Sequence, residues 1–258
     1  MVSYKSTAMS KPVYFLSDIH LGASYIKNPH DAERRVNRFL DSIKDNAGEI
    51  YLMGDILDYW YEYRKVVPKG YTRFFGKIAE LADMGIKIYW FVGNHDIWIF
   101  DYLPHELGIT VIDGIEVKDI LGKRFLLNHG DGVGKQKASF RLLRSVFRNK
   151  VCQFFYSMIP SCITIPFAHN WSSHSRKSED NTNIELSQKY VNNIMEFAKE
   201  HASTHTDIDY YIFGHIHEIA NEKVSDKARC ILLGEWISKF SYAVFDGNEL
   251  KIETFIEK

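Results

Sequence analysis

The chain of 258 residues is 45% hydrophobic and 25% charged, the make-up of an ordinary globular protein, and it is long enough to bury one substantial core. Its formal charge of -1 offers no global attraction for nucleic acid, so no such partner is expected and any anion recognition must be local. Three cysteines (Cys152, Cys162, Cys230) without metal spacing argue against a disulfide framework or a zinc knuckle, and a reducing cytoplasm is the expected compartment.

Residues 1–10 contain no apolar run of the kind a signal peptide needs, and Met9 offers an alternative start, so a flexible tail is expected there, followed by a single domain over 11–258. Short apolar runs rich in β-branched and aromatic residues then alternate with helical stretches: VYFLSD (13–18), a helix over about 30–45, EIYLMGD (49–55), a helix over about 71–84, and IKIYWFVGN (86–94). This is the pattern of βαβ units with buried strands. After Gly108 the strands shorten to ITVID, IEVKDI and RFLLNHG, with a hairpin turn at LGK (121–123), and a second sheet is expected to begin here.

Residues 136–205 lose strand character and read as a helical insertion. Within it Val151 to Ala168 is apolar and as long as the shortest membrane span, but Pro160, Pro166 and Gln153 favour two short helices over a span. On the preceding helix Arg141, Arg144 and Arg148 share one face, the layout of a helix lying on an anionic membrane surface, the alternative being a solvated basic face on a small lid core. Strands return at DYYIFGH (209–215), ARCILLG (228–234), KFSYAVFD (239–246) and ELKIETF (249–255), so the insertion is bracketed by sheet, well placed to be a lid.

Five motifs carry the chemistry: SDIH with Asp18 and His20, GDILD with Asp55 and Asp58, GNHD with Asn94 and His95, NHGD with His129, and GHIH with His215 and His217. Singly, each Asp reads as a cap and each His as a hydrogen-bonded side chain. Together, four of the five directly follow expected strands and converge on one rim, where open α/β sheets place their sites. The pairs 18/20 and 215/217 are spaced i, i+2, which on an extended strand end points both side chains to one side. Oxygen and imidazole donors without thiolate suit manganese, iron or zinc. A bridging carboxylate, for which Asp55 is the choice, would hold two such ions about 3.5–4 Å apart, the spacing used for in-line phosphoryl displacement.

DxH, GDxxD, GNH[DE], a His before Gly-Asp and GHxH in this order resemble the calcineurin-like metallophosphoesterase superfamily. The resemblance implies an α/β (α+β four-layer) fold: a two-sheet β-sandwich flanked by helices, here with a helical lid insertion at about 136–205. It implies two divalent metal ions, one held by Asp18, His20, Asp55 and His217, the other by Asp55, Asn94, His129 and His215. His95 would stand over the substrate phosphate as a general acid, with Asp58 pairing to its imidazole and raising its pKa. Asp96 and Asp131 would orient ligands.

Nearly end to end, through GDILDYW, the segment MIPSCITIPFAHNWSSHSRKSEDN and LGEW, the chain is similar to UDP-2,3-diacylglucosamine diphosphatases of lipid A synthesis. That likeness implies hydrolysis of an acylated nucleotide sugar to UMP and 2,3-diacylglucosamine 1-phosphate, a preference for manganese, and a peripheral place on the cytoplasmic face of the inner membrane. Substrate contacts would come from Asn94, His95, Lys137, His174, Ser175 and Arg176. The chain departs from the best-known members in carrying His95 where they have arginine and Asp58 where they have glutamate. The competing reading is a metallophosphoesterase acting on a nucleotide, a cyclic nucleotide or a phosphoprotein.

Overall fold

The structure is a computed structural model describing residues 10–168 and 184–257. Val13–Leu16 (β1), Glu49–Leu52 (β2) and Lys87–Phe91 (β3) pair in parallel. Parallel neighbours need a crossover of a dozen or more residues. Pro29–Ile43 (α1) and Thr72–Asp83 (α2) supply it, with Pro29 at the first turn of α1, where its missing N–H costs nothing. Both faces of these strands are covered, which is why they read as unbroken apolar runs. Tyr14 and Leu16 point to the helices with Phe39, Leu40, Phe74 and Ile78, whereas Val13 and Phe15 point to the other sheet.

Beyond β3 come Tyr102–Leu107 (α3), Thr110–Ile112 (β4), Glu116–Ile120 (β5) and Lys123–Leu127 (β6). Contrary to the expectation from sequence, β4 belongs to the first sheet, pairing in parallel with β3, and the second sheet starts only at β5. The cause is α3, a connection too short for helical periodicity to reveal. Its leading amides, from Phe100, Asp101 and Tyr102, donate to the Glu62 carboxylate at 2.7, 2.8 and 3.1 Å. The hairpin between β5 and β6 turns on Leu121 and Gly122, both at positive φ (47° and 82°), as a two-residue type I′ loop requires.

Tyr210–Phe213 (β7), Ile219–Lys223 (β8), Arg229–Leu233 (β9), Ser241–Phe245 (β10) and Leu250–Thr254 (β11) complete the strands. The first sheet has the order β11-β10-β1-β2-β3-β4 and the second β5-β6-β7-β9-β8. The chain thus crosses back to the first sheet after β9. Phe15, Tyr51 and Phe91 of one sheet meet Phe125, Leu127, Ile212 and Ile231 of the other to form the inner core. Strand β8 is an exposed, polar edge with no alternation to betray it.

The stretch from 136 to 205 divides in two. Ile184–Thr204 (α7) buries Val191, Ile194, Met195 and Ala198 against the second sheet and is the crossover between parallel β6 and β7. The result is a four-layer sandwich of helices, sheet, sheet and helix. Ala138–Arg148 (α4), Lys150–Ser157 (α5) and Ser161–Ala168 (α6) lie outside this frame. Helices α5 and α6 bend by 118° about the break holding Pro160, and among the described residues no single helix is long and apolar enough to cross a membrane.

These three helices seat on an aromatic floor of Tyr59, Tyr61, Ile97 and Trp98, against which Phe147, Tyr156 and Ile165 pack. Trp98 Nε1–H donates to the carbonyl of Phe147 at 2.9 Å, and the Tyr61 hydroxyl to that of Gln153 at 2.6 Å. The arginine face of α4 turns toward the body, not outward as a membrane-lying helix would have it. Arg144 donates to the buried Asp131 at 2.8 Å and Arg148 to the exposed Asp113, the carboxylates within reach on that side. What faces solvent instead is apolar: Leu142, Val151, Phe154, Phe155 and Met158 are all more than half exposed.

Candidate active site

All five motifs follow strands that run in parallel: β1, β2 and β3 in one sheet, β6 and β7 in the other. Their carboxyl ends therefore open on one rim. The side chains do not converge by extended i, i+2 geometry, however. Asp18, His20, Asp55, His215 and His217 all have left-handed backbone, with φ between 49° and 69°. Non-glycine residues rarely adopt that region, and clusters of them mark sites where the surrounding structure enforces a geometry. Two glycines permit the crowding: a Cβ on Gly93 would lie 2.1 Å from Asp55 Oδ1, and one on Gly214 would lie 1.9 Å from Ser17 Oγ.

The carboxylate of Asp55 lies between two nests of donors. On one side His20 Nε2 is 3.8 Å from Asp55 Oδ2, 3.7 Å from Asp18 Oδ1 and 3.3 Å from His217 Nε2. On the other, His129 Nε2 is 3.3 Å from Asp55 Oδ2 and 3.2 Å from Asn94 Oδ1. Asp18, His20 and His217 each offer a ligand atom within 4.8 Å of the others, as do Asp55, His129 and His215, and as do His20, Asp55 and His95. The donor chemistry fits cations. Asp18 Oδ1 is buried with no hydrogen-bond partner, and two imidazole nitrogens face each other across 3.3 Å. Left without an ion, such a buried orphan acceptor costs about 1–3 kcal/mol.

Outer contacts fix the tautomers. His129 Nδ1–H donates to the carbonyl of Met53 at 2.9 Å, and His20 Nδ1–H to Asp58 Oδ1 at 3.3 Å, which turns the Nε2 of each toward the cluster. Asp96 ties the loops together by accepting from Ile56 N, Gly93 N and Trp90 Nε1. Lys239, which no sequence signal singled out, donates to the carbonyl of His217 and to Glu218, while Trp236 N–H donates to the carbonyl of Asp18. Both come from the segment after β9, brought to the rim only by the return of the chain to the first sheet.

The Asp58 carboxylate stands between two imidazoles, with Oδ1 3.3 Å from His20 Nδ1 and 3.5 Å from His95 Nδ1, and the His95 Nδ1 also contacts the Asp58 backbone carbonyl at 3.0 Å. The His95 pKa, however, is not raised. Burial lowers it and the neighbouring His20 adds to this, outweighing the upward pull of Asp55 and Asp58. Lys137 is exposed at the start of α4 and makes no side-chain hydrogen bond or ion pair among the described residues. His174, Ser175 and Arg176 lie outside the described residues.

Electrostatics split the histidines. Burial pulls His129 down, but Asp55, Asp18 and Asp131 outweigh it and push the imidazole up to about 10. Burial and the charge on His129 together push His215 down to about 4. Burial also disfavours the Asp18 carboxylate, yet the imidazoles of His217 and His20 hold it well below the usual range. In the metal-free protein near neutral pH, His129 thus carries a proton that a cation must displace. Metal binding is expected to release protons and to tighten as pH rises from 6 to 8. Calorimetric titration in buffers of different ionisation enthalpy measures this, and uptake of no net proton change would contradict it.

The model of the calcineurin-like phosphoesterases matches residues 11–218. The chain belongs to that family. It is a metal-dependent hydrolase of phosphoester bonds, with divalent metal ions as its cofactors. A UDP-2,3-diacylglucosamine hydrolase of Porphyromonas gingivalis is 41% identical, with 95% of this chain and 98% of that protein aligned. Relatives bearing the same name in Neisseria meningitidis serogroup B and Histophilus somni strain 2336 are 28% and 22% identical. The first aligns with 58% of this chain and 61% of its own length, the second with 88% and 92%.

Proposed function

We propose that the chain hydrolyses UDP-2,3-diacylglucosamine to UMP and 2,3-diacylglucosamine 1-phosphate, with manganese as the metal. The observation that carries this reading is full-length similarity to a hydrolase named for that substrate, joined to a donor cluster built around one shared carboxylate. In this reading Asp18, His20, Asp55 and His217 hold one ion, and Asp55, Asn94, His129 and His215 the other. Bound there, the ions would polarise the phosphoryl oxygens and lower the pKa of water.

The protein's own groups set the geometry. The Nδ1 of His95 contacts the carbonyl of Asp58, which orients the ring, and in this reading Nε2 serves the leaving oxygen of the bound diphosphate. An anionic substrate beside this imidazole raises its pKa against the effect of burial, and so loads the proton when it is needed. Asn94 has two duties, an oxygen toward His129 and an amide N–H₂ free for a phosphoryl oxygen. The exposed apolar residues of α4, α5 and α6 form a surface suited to the acyl region of a bilayer, which supports a peripheral position at the inner membrane.

Purified protein incubated with manganese and UDP-2,3-diacylglucosamine is expected to release UMP, detected by chromatography. Hydrolysis of a generic phosphodiester without any release of UMP would shift the reading to another phosphoester substrate of the same site.

A further inference from the structure

Helix α4 has two opposite faces. At about 100° per residue, Phe140, Arg141, Arg144 and Arg148 share one, and Leu142 and Val146 the other. The arginine face and the loop that follows His129, Gln136 included, line a cleft of about 920 Å³. Clefts of this size hold small molecules. Among the described residues no carboxylate lines this one.

Its donors are only partly used. Arg144 gives Nε–H to Asp131, which leaves both Nη groups; Arg148 bonds Asp113 through Nη1, and its buried Nε has no partner. Arg141 is exposed and makes no side-chain hydrogen bond or ion pair among the described residues. The acids Asp131 and Asp113 offset two of the three guanidinium charges, so one positive charge is left over. Multiple N–H donors around a surplus positive charge are what a phosphate needs. A second kind of contact lies beside them. The half-buried ring of Phe140 offers a stacking surface, and Gln136, whose Nε2–H donates to the carbonyl of Val133 at 2.8 Å, keeps Oε1 free to accept.

We propose that this cleft is a nucleotide subsite: Arg141 and Arg144 take the phosphate, while Phe140 stacks on a uracil whose N3–H donates to Gln136 Oε1. The inference rests on the nucleotide-sugar reading of the active site and assigns the nucleotide end of that substrate. Of the two phosphate donors, Arg144 is bound to Asp131, whose carboxylate also feels the charges of His129 and His215. A lipid phosphate would satisfy the arginines equally, but would have no use for an aromatic ring beside an amide acceptor, and the apolar surface lies on the opposite face of α4.

The test is calorimetric titration of the manganese-loaded protein with UMP and with CMP, whose N3 carries no hydrogen. Arg141→Ser is expected to weaken UMP by about tenfold or more, the loss of a charged hydrogen bond. Lys150→Ser, a cation of the neighbouring cleft, is expected to leave UMP binding unchanged. Gln136→Leu is expected to erase a preference for UMP over CMP. Unaltered UMP binding in Arg141→Ser overturns the proposal, as does loss of binding to phosphatidylglycerol vesicles with UMP binding retained. Turnover of UDP-2,3-diacylglucosamine separates the two levels. If substrate is cleaved and Arg141→Ser keeps its KM, the subsite falls and the function stands. If no UMP is released, yet UMP binds in an Arg141-dependent way, the function falls and the nucleotide site stands.

Discussion

Asp55→Asn is expected to lower metal-dependent hydrolysis by about 10³-fold or more and to reduce bound metal from two ions toward one. The magnitude follows from the bridge. Two ions that share a carboxylate supply several kcal/mol of charge stabilisation in the transition state, and each 1.36 kcal/mol is a decade in rate. Asparagine suits the test because it keeps an oxygen where Oδ1 accepts the His95 amide at 2.8 Å, so the loop between β3 and α3 retains its anchor. What disappears is the charge opposite His20 and His129. Metal content by elemental analysis, read beside turnover, checks both halves. Two tightly bound ions with turnover near that of the parent would remove Asp55 from the bridge.

His95→Gln is expected to cost about 10²–10⁴ in kcat, the usual contribution of a positioned general acid, while leaving metal content intact. Its pH signature has a sign. Burial holds the imidazole below its ordinary value in the free protein, so the protonated form is lost early as pH rises, and the falling limb of kcat/KM should lie at low pH. The anionic substrate raises the same group, so the limb in kcat should lie at higher pH than the limb in kcat/KM. Both should vanish in His95→Gln. Limbs that persist unchanged there would assign the titration to a group other than His95.

In the proposed mechanism the proton released on metal binding and the acid that serves the leaving oxygen belong to different histidines. Asp55 outweighs burial at His129 and pushes it up, whereas burial and the neighbouring His20 push His95 down. The two differ in balance: Asp55 lies 3.3 Å from His129 Nε2 and its pull outweighs burial there, whereas at His95 burial outweighs the pull of Asp55 and Asp58.

Much of this was legible in the residues. Asp18, Asp55, Asn94, His129 and His215 each follow a run such as VYFL or YYIF, and a buried parallel strand can deliver a side chain to only one place, the rim beyond its carboxyl end. The break in the apolar stretch at 151–168 was equally plain, since Pro160 cannot continue a helix. By contrast, α3 and β8 left no trace, one too short for a period and the other exposed along its length.

Local sequence thus determined the donors, their order and the strands that carry them, because these depend on side-chain type and on periods of two or 3.6 residues. Tertiary structure alone decided four things: that β4 joins the first sheet, that α7 belongs to the body, that Arg144 and Arg148 turn to Asp131 and Asp113, and that Asp58 stands between His20 and His95. Each is a choice between partners far apart in the chain. Such choices are settled by which carboxylate or apolar face lies within reach once the layers have packed, and a linear pattern contains no distances.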